Sequence, residues 1–205
     1  CLRLDQWIAI EPMLSEYFNT RREHYYSILP TATPYSRNAL FSGLTPMDVA
    51  RQYPDIWDSG SDDDYSLNRY ESDMFTRHLR RLGLGDVPHR YHKSLDANDG
   101  REVVRNLTQW SKGTDLFGFV FNFIDHLSHG RSESELLQEI TPDESSFRNL
   151  TVSWFAKSAV FEMMKWVANK GGTVVLTTDH GSILGTRATI ARGNKETSTN
   201  LRYKF

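Results

Sequence analysis

The fold is decided by one nearly continuous apolar run, Leu116-Phe117-Gly118-Phe119-Val120-Phe121-Asn122-Phe123-Ile124. An apolar run of this length is typical of a strand that is covered on both faces, as in a parallel sheet. The polar residues Asp125-His126-Leu127-Ser128-His129 follow it directly. We therefore predict a central strand at residues 116–124 that ends next to one carboxylate and two imidazoles.

Helix-like and strand-like segments alternate around this run. Residues 153–170 carry apolar side chains at helical spacing and end at Gly171, directly before a second apolar run at residues 173–177. A shorter β-prone run lies at residues 25–29. Such alternation predicts an α/β domain with a largely parallel central sheet, flanked by helices on both faces.

The remaining segments are read from their start and stop residues. We predict a helix at residues 3–18, with a break at Pro12, and further helices at 35–41, 46–52 and 67–82. Gly43 and Gly83 mark the ends of the second and the fourth of these helices. We also predict a short strand at 90–93 and a solvated loop at 58–66.

Composition limits the class of protein. The chain has 205 residues with 24 basic and 26 acidic side chains, which excludes a polybasic nucleic-acid arm and fits a single domain, residues 1–205. Its one cysteine excludes a disulfide framework and favours a reducing compartment, so we expect a cytoplasmic protein. No apolar stretch reaches the length of about 18 residues that spans a bilayer. Because the sequence starts at Cys1, we expect a fragment.

Acid and histidine residues fall at the predicted strand ends, where ligands bind in open α/β sheets. Asp125 and His129 would share one helix face, because they are four positions apart. Asp179 and His180 follow the run at 173–177 and could hold one ion in an irregular turn. Carboxylate and imidazole are ligands of zinc, so these residues are candidate metal ligands.

Thr33 stands at the third strand end, directly before Pro34. A hydroxyl at a helix start is favourably placed for a phosphate and for a developing alkoxide, and a metal-bound threonine can act as a nucleophile. Arg37, one turn further on, could hold phosphate oxygens.

Each candidate residue, taken alone, also has an ordinary structural interpretation. Thr33 with Pro34 is also an ordinary N-cap and N1 pair, and Asp179-His180-Gly181 is also an ordinary turn. Histidines 126 and 129 could be core or surface residues. The metal site is favoured only by the joint placement of the residues.

The ordered motifs Pro30-Thr31-Ala32-Thr33-Pro34-Tyr35-Ser36-Arg37, Asp125-His126-Leu127-Ser128-His129 and Thr178-Asp179-His180-Gly181 resemble the PglZ branch of the alkaline phosphatase superfamily. They look closest to the output domain of PorX-like response regulators. The resemblance implies a two-zinc phosphoesterase with Thr33 as the nucleophile, Asp179 and His180 on the metal that activates it, and Asp125 and His129 on the other.

The same resemblance implies phosphodiester substrates such as short nucleotides, a receiver domain and sensor kinase as partners, and a homodimer as one assembly. In the family a first metal-binding Asp would precede Cys1 and a last metal-binding His would follow His180, so we expect a domain that is incomplete at both ends. Two other functions stay open: a regulatory or dimerisation module with only part of the site, and a phosphate-transfer or mutase activity.

Overall fold

A computed structural model describes residues 1–29, 31–57, 68–183, 185 and 187, so the predicted loop at 58–66 lies outside the described residues. The helices are α1 (Leu4–Ile10), α2 (Thr33–Ser42), α3 (Pro46–Gln52), α4 (Glu71–Arg81), α5 (Ala97–Trp110), α6 (Phe123–Glu133), α7 (Glu135–Ile140), α8 (Glu144–Phe155) and α9 (Ala159–Asn169); the strands are β1 (His89–Ser94) and β2 (Leu116–Phe121). Among the described residues, no helix combines the length and apolarity needed to cross a membrane.

The chain divides into two compact units. The first comprises Cys1–His24 and Pro88–Thr177, and it contains both strands with α1 and α5 to α9. The second comprises the described residues of Tyr25–Val87 and of Thr178–Phe205, and it contains α2, α3 and α4. Each unit has a buried apolar core of its own; its buried members are Ile10, Leu14, Phe155, Met164, Val103, Leu107 and Met163 in the first, and Val49, Ile56 and Met74 in the second.

The sheet of the first unit is parallel, as predicted. Strand β1 pairs with β2 from His89 opposite Leu116 to Ser94 opposite Phe121, and α5 connects the two strands. The strand predicted at residues 116–124 ends at Phe121, because α6 already begins at Phe123.

Helix α5 was not predicted, because its first turn contains Asn98, Asp99 and Gly100, which are common in turns. Asp96 caps this helix by accepting hydrogen bonds from the backbone N–H groups of Asn98 and Asp99. Gly100 allows α5 to approach α9 closely, since a Cβ atom at this position would lie 2.9 Å from the Cβ of Ala159. The glycine is therefore a packing residue and does not end the helix.

Two predicted strands are wrong. Residues 25–29 and 173–177 form no strand, and within the described residues the sheet contains β1 and β2 alone. Tyr26 is fully exposed and Val175 is 87% exposed, so these apolar runs are not covered as a buried strand would be. Strand propensity reflects packing on neighbouring strands, so a β-prone run outside a sheet stays irregular. The α/β class is confirmed, and within the described residues the predicted central sheet is a parallel pair of strands.

The helix predictions are largely confirmed. Helix α1 passes into a 3₁₀ turn, Glu11–Leu14, at the predicted break at Pro12. Helix α2 ends at Gly43, which has the left-handed φ of 61°. The helix predicted at residues 153–170 is divided between α8 and α9, because the Ser158 hydroxyl caps α9 by accepting from the N–H of Phe161.

Candidate functional site

The hydroxyl of Thr33 lies against the ring of His180, within the second unit. Thr33 Oγ1 and His180 Nε2 are 2.8 Å apart, although 147 positions separate the two residues in the chain. Ala32, and not Thr33, is the N-cap of α2, and no side-chain cap bond is made there. The alternative interpretation of Thr33 as a helix cap is therefore wrong: its hydroxyl bonds to an imidazole.

The other ring nitrogen fixes the tautomer of His180. Nδ1 lies 3.0 Å from the backbone carbonyl oxygen of Gly181. Because a carbonyl oxygen only accepts, Nδ1 must carry the proton, and in the neutral ring Nε2 then presents its lone pair. The Thr33 hydroxyl donates to that lone pair. Metal-ligating histidines commonly have this arrangement, with one nitrogen toward the metal and the other donating to a carbonyl or carboxylate.

The carboxylate of Asp179 lies on the same side of the ring. Its Oδ1 accepts a hydrogen bond of 2.9 Å from the His180 N–H, and its Oδ2 lies 3.7 Å from His180 Nε2. Both side chains are buried, with 11% of Asp179 and 5% of His180 exposed. Burial by itself would raise the pKa of the Asp179 carboxyl, but nearby positive charge, that of Arg37 included, and the hydrogen bond from the His180 N–H outweigh it and hold that pKa below its usual range.

These three side chains fit a divalent metal. A carboxylate oxygen and an imidazole lone pair face each other in a buried site, and a cation between them would satisfy both. Two ligand atoms that each lie about 2.1 Å from a tetrahedral zinc ion are about 3.4 Å apart. The distances from His180 Nε2 to Thr33 Oγ1, 2.8 Å, and to Asp179 Oδ2, 3.7 Å, lie on either side of this value. The Thr178 hydroxyl stabilises this turn by donating to the carbonyl of His180 at 2.8 Å.

Arg37 follows Thr33 by one turn of α2 and forms an ion pair that the sequence did not predict. Its Nε donates to Oε1 of Glu71, the first residue of α4. The Glu71 carboxylate is 1% exposed, and the Arg37 side chain is 12% exposed. An acid in the first turn of a predicted helix is read as a partner of the helix dipole. The sequence therefore held no signal for this buried role.

The second predicted pair, Asp125 and His129, lies in the first unit on helix α6. His129 Nε2 and Asp125 Oδ1 are 3.8 Å apart, so the two side chains share a helix face as expected. The thiol of Cys1, which the sequence did not point to, donates to the same oxygen of Asp125. The structure thus brings together Thr33, Asp179 and His180 in the second unit, and Asp125 and His129 in the first.

An α/β chain with a helix-start hydroxyl beside an acid and imidazole pair has the features of an alkaline phosphatase-like domain. Residues 1–204 match the family described as BREX system PglZ alkaline phosphatase-like domain, and the chain belongs to this family. The PglZ resemblance of its motifs is thereby confirmed. Membership indicates a hydrolase of the phosphoesterase type. No curated protein matches the chain.

Proposed function

We propose that this chain is a zinc-dependent phosphoesterase in which the Thr33 oxygen attacks phosphorus. The observation that carries the proposal is the contact between Thr33 Oγ1 and the buried His180 Nε2, beside the Asp179 carboxylate. A helix-capping threonine would not make this contact. The start of α2 adds a favourable electrostatic environment for negative charge on the hydroxyl oxygen.

Thr33, Asp179 and His180 would hold one zinc ion, and Asp125 and His129 would belong to the site of a second. Zinc bound to these residues would lower the pKa of a bound hydroxyl and stabilise negative charge on phosphoryl oxygens. The carbonyl of Gly181 keeps the His180 ring in the tautomer that leaves Nε2 unprotonated. Asp179 contributes the negative charge that a divalent cation requires.

The reaction would proceed in two displacements. In the first, a bond forms between Thr33 Oγ1 and phosphorus, the bond from phosphorus to one ester oxygen breaks, and an alcohol leaves with a proton. In the second, water attacks the phosphorus of this intermediate, in which Thr33 Oγ1 and the remaining ester group are both bound to phosphorus; the bond from Oγ1 to phosphorus breaks, the phosphomonoester is released and the threonine hydroxyl is restored. Arg37, one turn along α2, would bind phosphoryl oxygens.

The substrate class and the biological context extend this proposal. We propose phosphodiesters, short nucleotides among them, and a role as the output domain of a response regulator with a receiver domain and a sensor kinase. The support is the order of the three motifs and the threonine at position 33, where sulfatases of the superfamily carry a modified cysteine or serine.

The test compares two Thr-Pro helix starts in the second unit. In the zinc-loaded chain, Thr33→Ala should abolish hydrolysis of bis(4-nitrophenyl) phosphate, and mass spectrometry of quenched reactions should detect Thr33 carrying a 4-nitrophenylphosphoryl group in the parent protein alone. Thr45, whose hydroxyl caps α3 at the N–H of Asp48, is the matched control. Thr45→Ala should keep full turnover and lose about 1 kcal/mol of stability.

Unchanged turnover of Thr33→Ala would contradict the threonine nucleophile. Zinc content separates the enzyme from the regulatory-module alternative: an enzyme should bind zinc and lose it in Asp179→Asn, whereas a module should show neither bound zinc nor turnover. Product analysis with an added alcohol acceptor distinguishes hydrolysis from phosphate transfer.

A further inference from the structure

We propose that Glu144 is a positioning residue that holds helix α6, and with it Asp125 and His129, against the segment that follows Cys1. The inference rests on the proposed function, in which Asp125 and His129 belong to the site of a second zinc ion. It assigns a role to a carboxylate that lies outside the candidate metal ligands. All of the contacts that carry it lie within the first unit.

The Glu144 carboxylate forms a bridge between two arginines. Its Oε1 accepts a hydrogen bond of 2.6 Å from Nη1 of Arg131, in the last turn of α6, and its Oε2 accepts one from Nη1 of Arg3. Both guanidiniums also lie over the ring of Phe147, with Cζ at 5.7 Å from its centre in Arg3 and at 4.9 Å in Arg131. The carboxylate therefore joins the start of α1 to the end of α6, and it offsets the repulsion between two cations that share one ring.

The two ends of this bridge lie close in the chain to the second candidate metal pair. Arg131 follows His129 by two positions on α6, and Arg3 follows Cys1 by two positions. The thiol of Cys1 donates to Oδ1 of Asp125 at 2.5 Å, and His129 Nε2 lies 3.8 Å from the same oxygen. Asp125 is thus the point where the first residues of the chain meet α6. A bridge that fixes the spacing of the two arginines also fixes these two segments at that point.

The start of α8, where Glu144 is the first residue, does not require this bridge. Asp143 caps the helix by accepting from the N–H of Ser146 at 2.7 Å. An acid that only compensates the helix dipole can point into water. Here both carboxylate oxygens bond to side chains of other elements, and those of Arg3 and Arg131 are only 14% and 13% exposed. Water and salt screen such shielded charges less than they screen a surface ion pair, so the bridge holds its partners more firmly.

The experiment titrates the metal-free chain with zinc by calorimetry, at a temperature at which circular dichroism shows every variant to be folded. His129→Ala identifies the binding step that belongs to Asp125 and His129, because it should remove that step alone. Groups that bond directly to metal ligands commonly change metal affinity by about 10- to 100-fold, and Glu144 acts one contact further away, so Glu144→Gln should weaken this step by about 3- to 10-fold. The other zinc step should stay within about twofold of the parent, whereas a carboxylate that only stabilised the fold would not affect one step selectively.

Asp5→Asn is the matched control. Asp5 is the other acid that pairs with Arg3, at 2.7 Å, and its side chain is 41% exposed against 37% for Glu144. Its ion-pair partners, Arg3 and Arg148, both lie outside α6. The substitution therefore takes an acid from the same arginine without breaking the bridge to α6, and it should leave both zinc steps unchanged.

Arg131→Gln breaks the bridge from the other side. It removes the cation on α6 and should weaken the same zinc step by about 3- to 10-fold. It keeps the test decisive if Glu144→Gln does not fold. In the Arg131→Gln background, Glu144→Gln should have no further effect on this step, because the link to α6 is already lost.

The inference is overturned if Glu144→Gln or Arg131→Gln keeps this step within threefold of the parent, if Glu144→Gln weakens both zinc steps equally, or if its effect is undiminished in the Arg131→Gln background. It is also overturned if Asp5→Asn weakens the step as much as Glu144→Gln, or if His129→Ala removes no step. Hydrolysis separates these results from the proposed function. Full turnover in Thr33→Ala with a selectively weakened step in Glu144→Gln would refute the nucleophile and support the positioning role. The reverse pattern would refute the positioning role alone.

Discussion

Gly43 ends the helix that carries Thr33 and Arg37, and its replacement by alanine gives a prediction of defined size. The residue has a φ of 61°, and a Cβ atom there would lie 2.4 Å from Nε2 and 2.5 Å from Cε1 of His78. The left-handed backbone costs an alanine about 1 kcal/mol. Displacing the His78 ring, whose Nδ1 lies 3.1 Å from the carbonyl oxygen of Phe41, adds about 1 to 3 kcal/mol.

Gly83, which follows α4, is the matched control. Its φ is 74°, and among the described residues no heavy atom outside its two chain neighbours lies within 4 Å of the position that a Cβ would take. Gly83→Ala should therefore lower the free energy of unfolding by about 1 kcal/mol, against about 2 to 4 kcal/mol for Gly43→Ala. Urea denaturation followed by circular dichroism measures both values, provided that the slope with denaturant is unchanged.

A double variant isolates the steric part of the effect. With His78→Ala present, most of the difference between Gly43→Ala and Gly83→Ala should disappear, because the ring is gone and the other close atom, Arg81 Nη2 at 2.9 Å, ends a flexible side chain that can move. Equal destabilisation by the two single glycine substitutions would refute the argument from the His78 contact. So would an undiminished cost of Gly43→Ala in the His78→Ala background.

Two further predictions concern the first unit. Gln6 is fully buried and its Nε2 donates to Thr151 Oγ1 at 2.9 Å. Gln6→Ala should therefore lower the free energy of unfolding by about 2 to 4 kcal/mol, whereas Thr151→Ser, which keeps the hydroxyl, should stay close to the parent. Equal midpoints of thermal unfolding for Gln6→Ala and the parent would contradict this prediction. Burial by itself raises the pKa of Glu144, but hydrogen bonds from Arg131 and Arg3 outweigh it and hold that pKa below the usual 4.5. The ionised Glu144 carboxylate therefore stabilises the fold above pH 4.5, and this stabilisation is lost as the pH falls through the lowered pKa. In urea titrations between about pH 5 and pH 3, the free energy of unfolding should fall more steeply for the parent than for Glu144→Gln. Equal falls in the two proteins would exclude this contribution.

The sequence predicted helices better than strands, because helix limits are encoded locally. Gly43 ends α2 through its own backbone conformation, and the break at Pro12 follows from the missing N–H of proline. A strand depends on a partner elsewhere in the chain. The run at 116–124 has such a partner in β1, whereas the equally β-prone residues 173–177 belong to neither strand of the sheet.

The sequence predicted which residues form the candidate site better than it predicted how those residues contact one another. The sequence predicts Thr33, Asp179 and His180 at the ends of strands, and the three residues lie together although neither preceding run is a strand. The residue types and the order of the motifs therefore identified the site residues, and the predicted strands did not. The pairing of Glu71 with Arg37 could not be predicted, because it depends on how α4 lies against α2 and leaves no local pattern.

The distance along the chain between Thr33 and His180 has a consequence for biosynthesis. A ribosome that adds about 5 to 20 residues per second needs roughly 7 to 30 seconds to pass from the first of these residues to the second, 147 positions later. Helix α2 is thus synthesised well before the imidazole that its first residue contacts. A nascent chain released during that interval would carry the Thr33 hydroxyl without the imidazole to which it bonds, however well its helices had formed.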